Sequence, residues 1–113
     1  MSDCLFCKIV AGEVPADKLF EDDNVLAFRD ISPQAPHHFI VIPKKHIVAP
    51  STLEEEDEAL MGKLVRAGSK VAADIGIEGQ FRMVVNNGAD AGQVIFHMHL
   101  HFLGGRNMGW PPG

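Results

Sequence analysis

Near its C-terminal end the chain reads His97-Met98-His99-Leu100-His101. Strict alternation of an imidazole with a large apolar side chain has a period of two, the period of a β-strand. On such a strand His97, His99 and His101 share one face while Met98 and Leu100 enter the other. The fold must therefore supply a sheet with a core on one side of this segment and three imidazoles on the opposite side. A neutral imidazole offers one donor and one acceptor nitrogen and titrates near ~6.5, so the row is equipped to exchange protons, bind phosphate or ligate a metal near neutral pH. Any one histidine is more often structural or simply exposed; three in alternation are the unusual observation.

The segment before the row supports an anion-directed reading. In Asn86-Asn87-Gly88-Ala89-Asp90-Ala91-Gly92, the glycines permit backbone conformations that present N–H groups to an anion, and Asn86 or Gln93 can add side-chain donors. Histidine is also a nucleophile, and nucleophilic catalysis divides one difficult displacement into two easier ones. Attack on phosphorus by His99, with its tautomer set by flanking histidines and backbone groups, gives a phosphorylated nitrogen that water later discharges.

With 113 residues the chain is expected to form one domain with one modest core. An apolar fraction of 46% argues against disorder, and the net charge of -5 gives no sign of a nucleic-acid surface. Its acidity is concentrated in Glu54, Glu55, Glu56, Asp57 and Glu58. A bound nucleotide should thus be a small one in a local pocket. No leader-like N-terminus is visible, and the apolar runs fall short of the roughly 20 residues that cross a bilayer. A soluble cytoplasmic protein without a membrane partner is expected. Only Cys4 and Cys7 are present, as one Cys-x-x-Cys, which suits thiols or metal ligands better than a secreted disulfide framework.

Local patterns predict a short helix around Phe6–Ile9, stopped by Gly12 and Pro15. Leu19-Phe20, the turn Glu21–Asn24 and a strand over Val25–Phe28 follow. After a proline-containing loop from Asp30 to Pro36, His38–Ile42 reads as a strand antiparallel to the preceding one. Ser51 or Thr52 is expected to cap a long helix with Glu54, Glu55 and Glu56 in its first turn. Leu60, Leu64, Val65, Val71, Ala72 and Ile75 form its buried stripe, and Asp74–Gly79 ends it. Phe81–Val85 and Val94–Leu103 are the last strands. The order predicts an α+β fold whose single sheet carries polar chemistry on one side and a helix on the other. The tail, Gly104–Gly113, is too rich in glycine and proline to extend the core, so Trp110 is expected to cover an active site or a partner subunit.

Taken together, these segments resemble the histidine triad superfamily, whose pattern is His-x-His-x-His with intervening apolar residues. Within it they resemble the HINT-like branch of small nucleotide-binding proteins, once described as protein kinase C inhibitors. The likeness runs from about Cys4 to Gly113 and includes Phe28-Arg29-Asp30-Ile31-Ser32-Pro33-Gln34-Ala35-Pro36, His38–His46, Arg82–Asn86, Gly92-Gln93, the triad, Leu103-Gly104-Gly105-Arg106 and Trp110-Pro111-Pro112-Gly113. It implies a HIT domain over residues 1–113, with about five antiparallel strands, one long helix and a short N-terminal helix. It also implies a homodimer with a continuous sheet, in which residues 104–113 lie near the partner's site.

The activity implied by the resemblance is hydrolysis of the P–N bond in purine nucleoside 5'-phosphoramidates through a nucleotidyl-histidine intermediate, with AMP, GMP and their phosphoramidates as small-molecule partners. His99 would be the nucleophile, supported by His97 and His101, with His38 behind the row. Asp30 would accept the ribose hydroxyls, a role its two acceptor oxygens suit; a turn-capping Asp30 and an ordinary core Phe28 are the plainer alternatives. Ile31, Phe28, Phe6 and Ile9 would line or adjoin the purine slot. Asn86, Gly92, Gln93 and Val94 would lie around the phosphate. Family members often carry a hydroxyl residue where this chain has Val94, a departure that bears on rate more than on reaction class.

The Cys pair needs two more ligands to close a tetrahedral zinc site, and histidines are the available partners. The resemblance narrows the set to Cys4, Cys7, His46 and His97, a structural centre that would take His97 out of the catalytic group. Two other functions fit the same sequence: a dinucleoside polyphosphate hydrolase or nucleotidyl transferase, and a non-enzymatic nucleotide-binding regulatory protein.

Overall fold

The computed structural model describes residues 3–113, so the first two residues of the expected 1–113 domain lie outside it. Its elements are α1 (Leu5–Val10), β1 (Lys18–Glu21), β2 (Val25–Arg29), β3 (His37–Pro43), α2 (Glu58–Asp74), β4 (Phe81–Val84) and β5 (Leu100–Gly104). The strands form one antiparallel sheet in the order β1-β2-β3-β5-β4. The expected α+β architecture, with five strands, one long helix and a short N-terminal helix, is therefore present.

Register divides the sheet into two chemically different faces. On one, Val25, Ala27, Phe39, Val41, Leu100 and Phe102 pack with Leu64, Ala67, Val71 and Ala72 of α2. Phe39 and Phe102 stack at a centroid distance of 4.9 Å, and each such ring contributes about 1.5–3 kcal/mol by leaving water. Gly68 is where the helix meets this stack: a Cβ there would lie 2.1 Å from Phe102 Cζ. The other face is more apolar than expected. Leu26, Phe28, Ile40 and Ile42 are covered by Phe6 and Ile9 of α1, and buried His38 and half-buried His101 lie outside that apolar cluster.

Two boundaries differ from the sequence expectation. The long helix starts at Glu58, after single 3-10 turns at Pro50–Thr52 and Glu55–Asp57. Thr52 bonds the main chain of Ala49, at 2.8 Å to its carbonyl and 3.2 Å from its N–H, and so caps the short turn, not α2. Asp57 is the residue at the helix N-cap. Its carboxylate accepts from Glu54 N–H at 3.0 Å and from Lys45 Nζ at 2.6 Å.

The expected strand Val94–Leu103 is also shorter, since β5 begins only at Leu100. Continuing its register with β3, where Val41 faces Leu100, would set Pro43 opposite Met98. Proline has no N–H to give the ladder. Met98 N–H bonds Ile47 O at 2.6 Å instead, so His97 and His99 lie in the irregular approach to the strand. Alternation of faces nevertheless persists: Met98 and Leu100 join the α2-side core, while His97 and His99, also buried, pack against Phe6 on the other side.

Candidate functional site

Two histidine clusters flank His99, and main-chain groups decide which ring nitrogen in each carries a proton. A carbonyl can only accept and an N–H can only donate. His97 Nε2 lies 2.8 Å from Pro43 O and must donate to it, leaving the Nδ1 lone pair for other partners. His99 Nδ1 lies 2.8 Å from His97 O, so it too is the protonated nitrogen, and Nε2 keeps a lone pair. At His38 the assignment is reversed in atom but equally definite. Gln34 N–H donates to Nδ1 at 3.0 Å, so Nε2 carries the proton and donates to His101 Nδ1 at 2.9 Å.

These tautomers matter because the rings are neutral near pH 7. Burial lowers the pKa of His99 against the opposing effects of the His97 carbonyl and Asp30. It lowers those of His97 and His38 as well. His101 is pushed down to about 4 by burial and then by His99 and His38. Edge contacts complete the packing: the His99 centroid is 5.0 Å from that of Phe6 and 5.0 Å from that of His101. A neutral imidazole with an unprotonated Nε2 is the form of histidine that can act as a nucleophile or base.

The first cluster lies on the other side of His97. Cys4 Sγ is 3.3 Å and Cys7 Sγ 3.5 Å from His97 Nδ1, while His46 Nδ1 is 3.3 Å from Cys7 Sγ and 3.2 Å from His97 Nδ1. All four donor atoms fall within 4.8 Å of one another, a set able to coordinate a metal ion. The Cys-x-x-Cys spacing works because Cys4 is the N-cap of α1 and Cys7 sits one turn into it. The Pro43 carbonyl supplies the outer hydrogen bond that fixes a histidine ligand's tautomer.

Asp30, His38 and His101 are similarly close, yet the two histidines are hydrogen-bonded to each other, with Asp30 facing the pair as a charge. His38 turns an N–H toward the group, with Asp30 Oδ2 at 3.4 Å from His38 Nε2 and 3.9 Å from His101 Nδ1. Asp30 Oδ1 accepts from Ser32 N–H at 2.8 Å, so the turn-capping role is real. The opposite oxygen still faces the histidines.

Other expected site residues divide by position. Phe6, Ile9 and Phe28 are buried in the α1-side cluster, where Phe6 and Phe28 meet edge-on at 5.5 Å. Ile31, Val94 and Trp110 are exposed. Gly92, at φ +97°, closes the 3-10 turn Ala89–Ala91, and Asn86 Nδ2 approaches its carbonyl at 3.5 Å. Gln93 is buried, and its side chain serves the loop. Oε1 accepts from Gly88 N–H at 2.8 Å, and Nε2 donates to Val48 O at 2.7 Å and Ile95 O at 3.1 Å. The expectation that its amide is a donor to an anion is corrected, since those donors already have partners.

Gln34, Pro43 and the carbonyl of His97 were not singled out by sequence reasoning. Their contribution is a main-chain group, which residue type does not advertise. No helix among the described residues is long and apolar enough to cross a membrane.

Comparisons with known proteins agree with this architecture. Residues 11–108 match the family model described as the HIT domain. An uncharacterized HIT-like protein of Synechocystis sp. is 53% identical over 111 residues, covering 98% of this chain and 97% of the relative. Among solved structures, a HIT family hydrolase from Legionella pneumophila superposes with a TM-score of 0.95 at 49% identity, covering 98% of this chain and all of the other (100%). A histidine triad nucleotide-binding protein from Candida albicans does so with a TM-score of 0.82 at 29% identity, covering 96% of this chain and 83% of the other. With a family match spanning most of its length and the histidine row set between two ordered clusters, this chain belongs to the HIT domain family.

Proposed function

We propose that the protein hydrolyses purine nucleoside 5'-phosphoramidates as a member of the HINT-like branch. The observation that carries this reading is His99, whose Nδ1 proton is engaged by the His97 carbonyl so that Nε2 keeps its lone pair. In the first step Nε2 attacks phosphorus, a P–Nε2 bond forms, and the P–N bond to the amine breaks as the amine leaves with a proton taken from solvent. In the second, water attacks phosphorus and gives up a proton to solvent as the P–O bond forms, the P–Nε2 bond breaks with its electron pair returning to Nε2, and the nucleoside monophosphate departs. His101 receives its Nδ1 hydrogen bond from His38, which leaves its other nitrogen as an N–H donor for a phosphoryl oxygen. The solved relatives described as a hydrolase and as a nucleotide-binding protein lend support.

In this reading Asp30 binds the ribose, with Phe28, Ile31, Phe6 and Ile9 at the purine. Asn86 and the main chain at Gly92, Gln93 and Val94 surround the phosphate. Exposed Ile31 and Trp110 are available to substrate or to a second subunit, in keeping with a cytoplasmic homodimer built from one HIT domain per chain. The metal at Cys4, Cys7, His46 and His97 is proposed to be zinc. Bonds of about 2.3 Å to sulfur and 2.0–2.1 Å to nitrogen set tetrahedral S–N edges near ~3.5 Å and an N–N edge near ~3.3 Å, close to the 3.3, 3.5 and 3.2 Å separations here. When bound, zinc supplies a structural cross-link. His97 then acts through its carbonyl, by orienting His99.

The test is steady-state hydrolysis of adenosine 5'-phosphoramidate by the parent and by His99→Ala, with circular dichroism to verify folding. We expect turnover by the parent and a loss of at least ~10³-fold in the variant. No turnover by the folded parent, combined with hydrolysis of dinucleoside polyphosphates, would transfer the assignment to that reaction.

A further inference from the structure

We propose that Arg106 is a positioning residue which, through the main chain of Gln34, fixes the direction of the His38–His101 hydrogen bond. The direction is set at Nδ1 by Gln34 N–H, 3.0 Å away, and is favoured at the other nitrogen by Asp30 Oδ2, 3.4 Å from Nε2. Without the Gln34 donor either nitrogen of His38 could carry the proton, and the Nδ1–H form would present a lone pair to His101 Nδ1 where an N–H is now donated.

Gln34 lies in the segment between β2 and β3, which has little regular structure to hold it. Its own side chain bonds Ser32 O at 2.9 Å. The long-range restraint is Arg106, whose Nη2 and Nε lie 3.1 and 3.4 Å from Gln34 O. The carbonyl and N–H of Gln34 are thus held at once, one by the guanidinium and one by the imidazole. Rotation of this residue away from His38 would break both contacts.

The two glycines before Arg106 make the approach possible. A Cβ at Gly104 would lie 2.7 Å from Ile77 Cδ1 and 2.9 Å from Gln80 O. One at Gly105 would lie 2.9 Å from Pro36 Cβ and 3.2 Å from His37 Cδ2, and Gly105 has φ +94°, a conformation suited to glycine. The chain leaves β5 pressed against the end of the Gln34 loop and bends there, where Arg106 meets Gln34 O. Two nitrogens of one planar guanidinium then reach a single carbonyl; a lysine could offer one.

The consequence for turnover rests on the hydrolase reading above, whereas the tautomer can be measured without it. Long-range ¹H–¹⁵N spectra of the metal-loaded protein with labelled histidine should show His38 as the Nε2–H form. In Arg106→Ala the Nδ1–H form should become measurable, and Arg106→Lys should restore most of the parent signal. With adenosine 5'-phosphoramidate, kcat of Arg106→Ala should fall by about 3- to 30-fold at unchanged KM. Gln34→Pro removes the donor itself and should lose the Nε2–H preference while keeping the circular dichroism of the parent. An unmoved His38 spectrum in Arg106→Ala, or a parent-like spectrum in Gln34→Pro, would overturn the proposal. If no form of the protein turns over the phosphoramidate, the hydrolase reading fails and the spectra still decide this one.

Discussion

His101 shows most directly how folding changes a residue's chemistry. Burial first, then His99 and His38, hold its pKa near about 4, against an unperturbed imidazole near ~6.5. Between those values the unfolded chain binds a proton that the folded chain refuses, so acid favours unfolding. The stability associated with neutral His101 is intact above ~6.5, is lost as pH falls through this window, and declines no further below about 4. His38 and His99 shift in the same direction. Urea midpoints should therefore be lower at pH 5 than at pH 7, and the drop should shrink in His101→Gln; equal midpoints at the two pH values would contradict the assignment. Residue type alone disclosed the imidazoles but not this behaviour. Gln93 makes the same point, since a sequence offers it as a donor and only folding brings Val48 O within 2.7 Å to occupy it.

At the scale of elements, α2 and β5 show which local signals survive packing. The α2 stripe was legible because Leu64, Val71 and Ala72 follow helical spacing and are all buried. Its start was not, because Thr52 and the acidic run form separate 3-10 turns before Glu58. Two glycines in the helix predict opposite responses to one substitution. Gly62 has nothing within 4 Å of an added Cβ, so Gly62→Ala should stabilise by about 0.5–1 kcal/mol through helix propensity. Gly68→Ala would drive its methyl into the Phe102 ring and should destabilise by roughly 1–3 kcal/mol. Thermal unfolding of the two variants measures both signs; stabilisation by Gly68→Ala would show that the interface yields more easily than its geometry implies. In β5 the two-residue alternation was correct about faces and wrong about extent, since Pro43 on the neighbouring strand cannot donate opposite Met98.

Across the whole molecule, the group able to coordinate a metal ion joins parts that local forces would not hold together. α1 has six residues, too few to be a stable helix in isolation. Phe6 and Ile9 seat it on the sheet, and Cys4 and Cys7 bring it to His46 and to His97 beside the strand β5. Cys7→Ser should abolish stoichiometric metal binding and lower the Tm. The loss in stability should be about 4 kcal/mol where free metal stands at 1,000 times its Kd. Metal analysis with calorimetry checks it, and an unchanged metal content and Tm would remove this group from the stabilising role. His97 makes the consequence reach further, because its ring belongs to the set able to coordinate a metal while its carbonyl bonds His99.

By itself the sequence determined the alternation of imidazole and apolar faces, the amphipathic α2 stripe, the turn at Asp22 and the Cys-x-x-Cys spacing. Each depends on residues a few positions apart, where backbone stereochemistry sets the geometry. Tertiary structure decided which nitrogen carries the proton at His38, His97 and His99, since even the partners near in sequence, Gln34 N–H four residues before His38 and His97 O two before His99, meet the ring only in the folded backbone. Those choices are made by Gln34 N–H, Pro43 O and His97 O. Pro43 meets His97 and Arg106 meets Gln34 only across long separations in the chain, because a hydrogen bond acts over about 3 Å and requires the fold to bring its partners together.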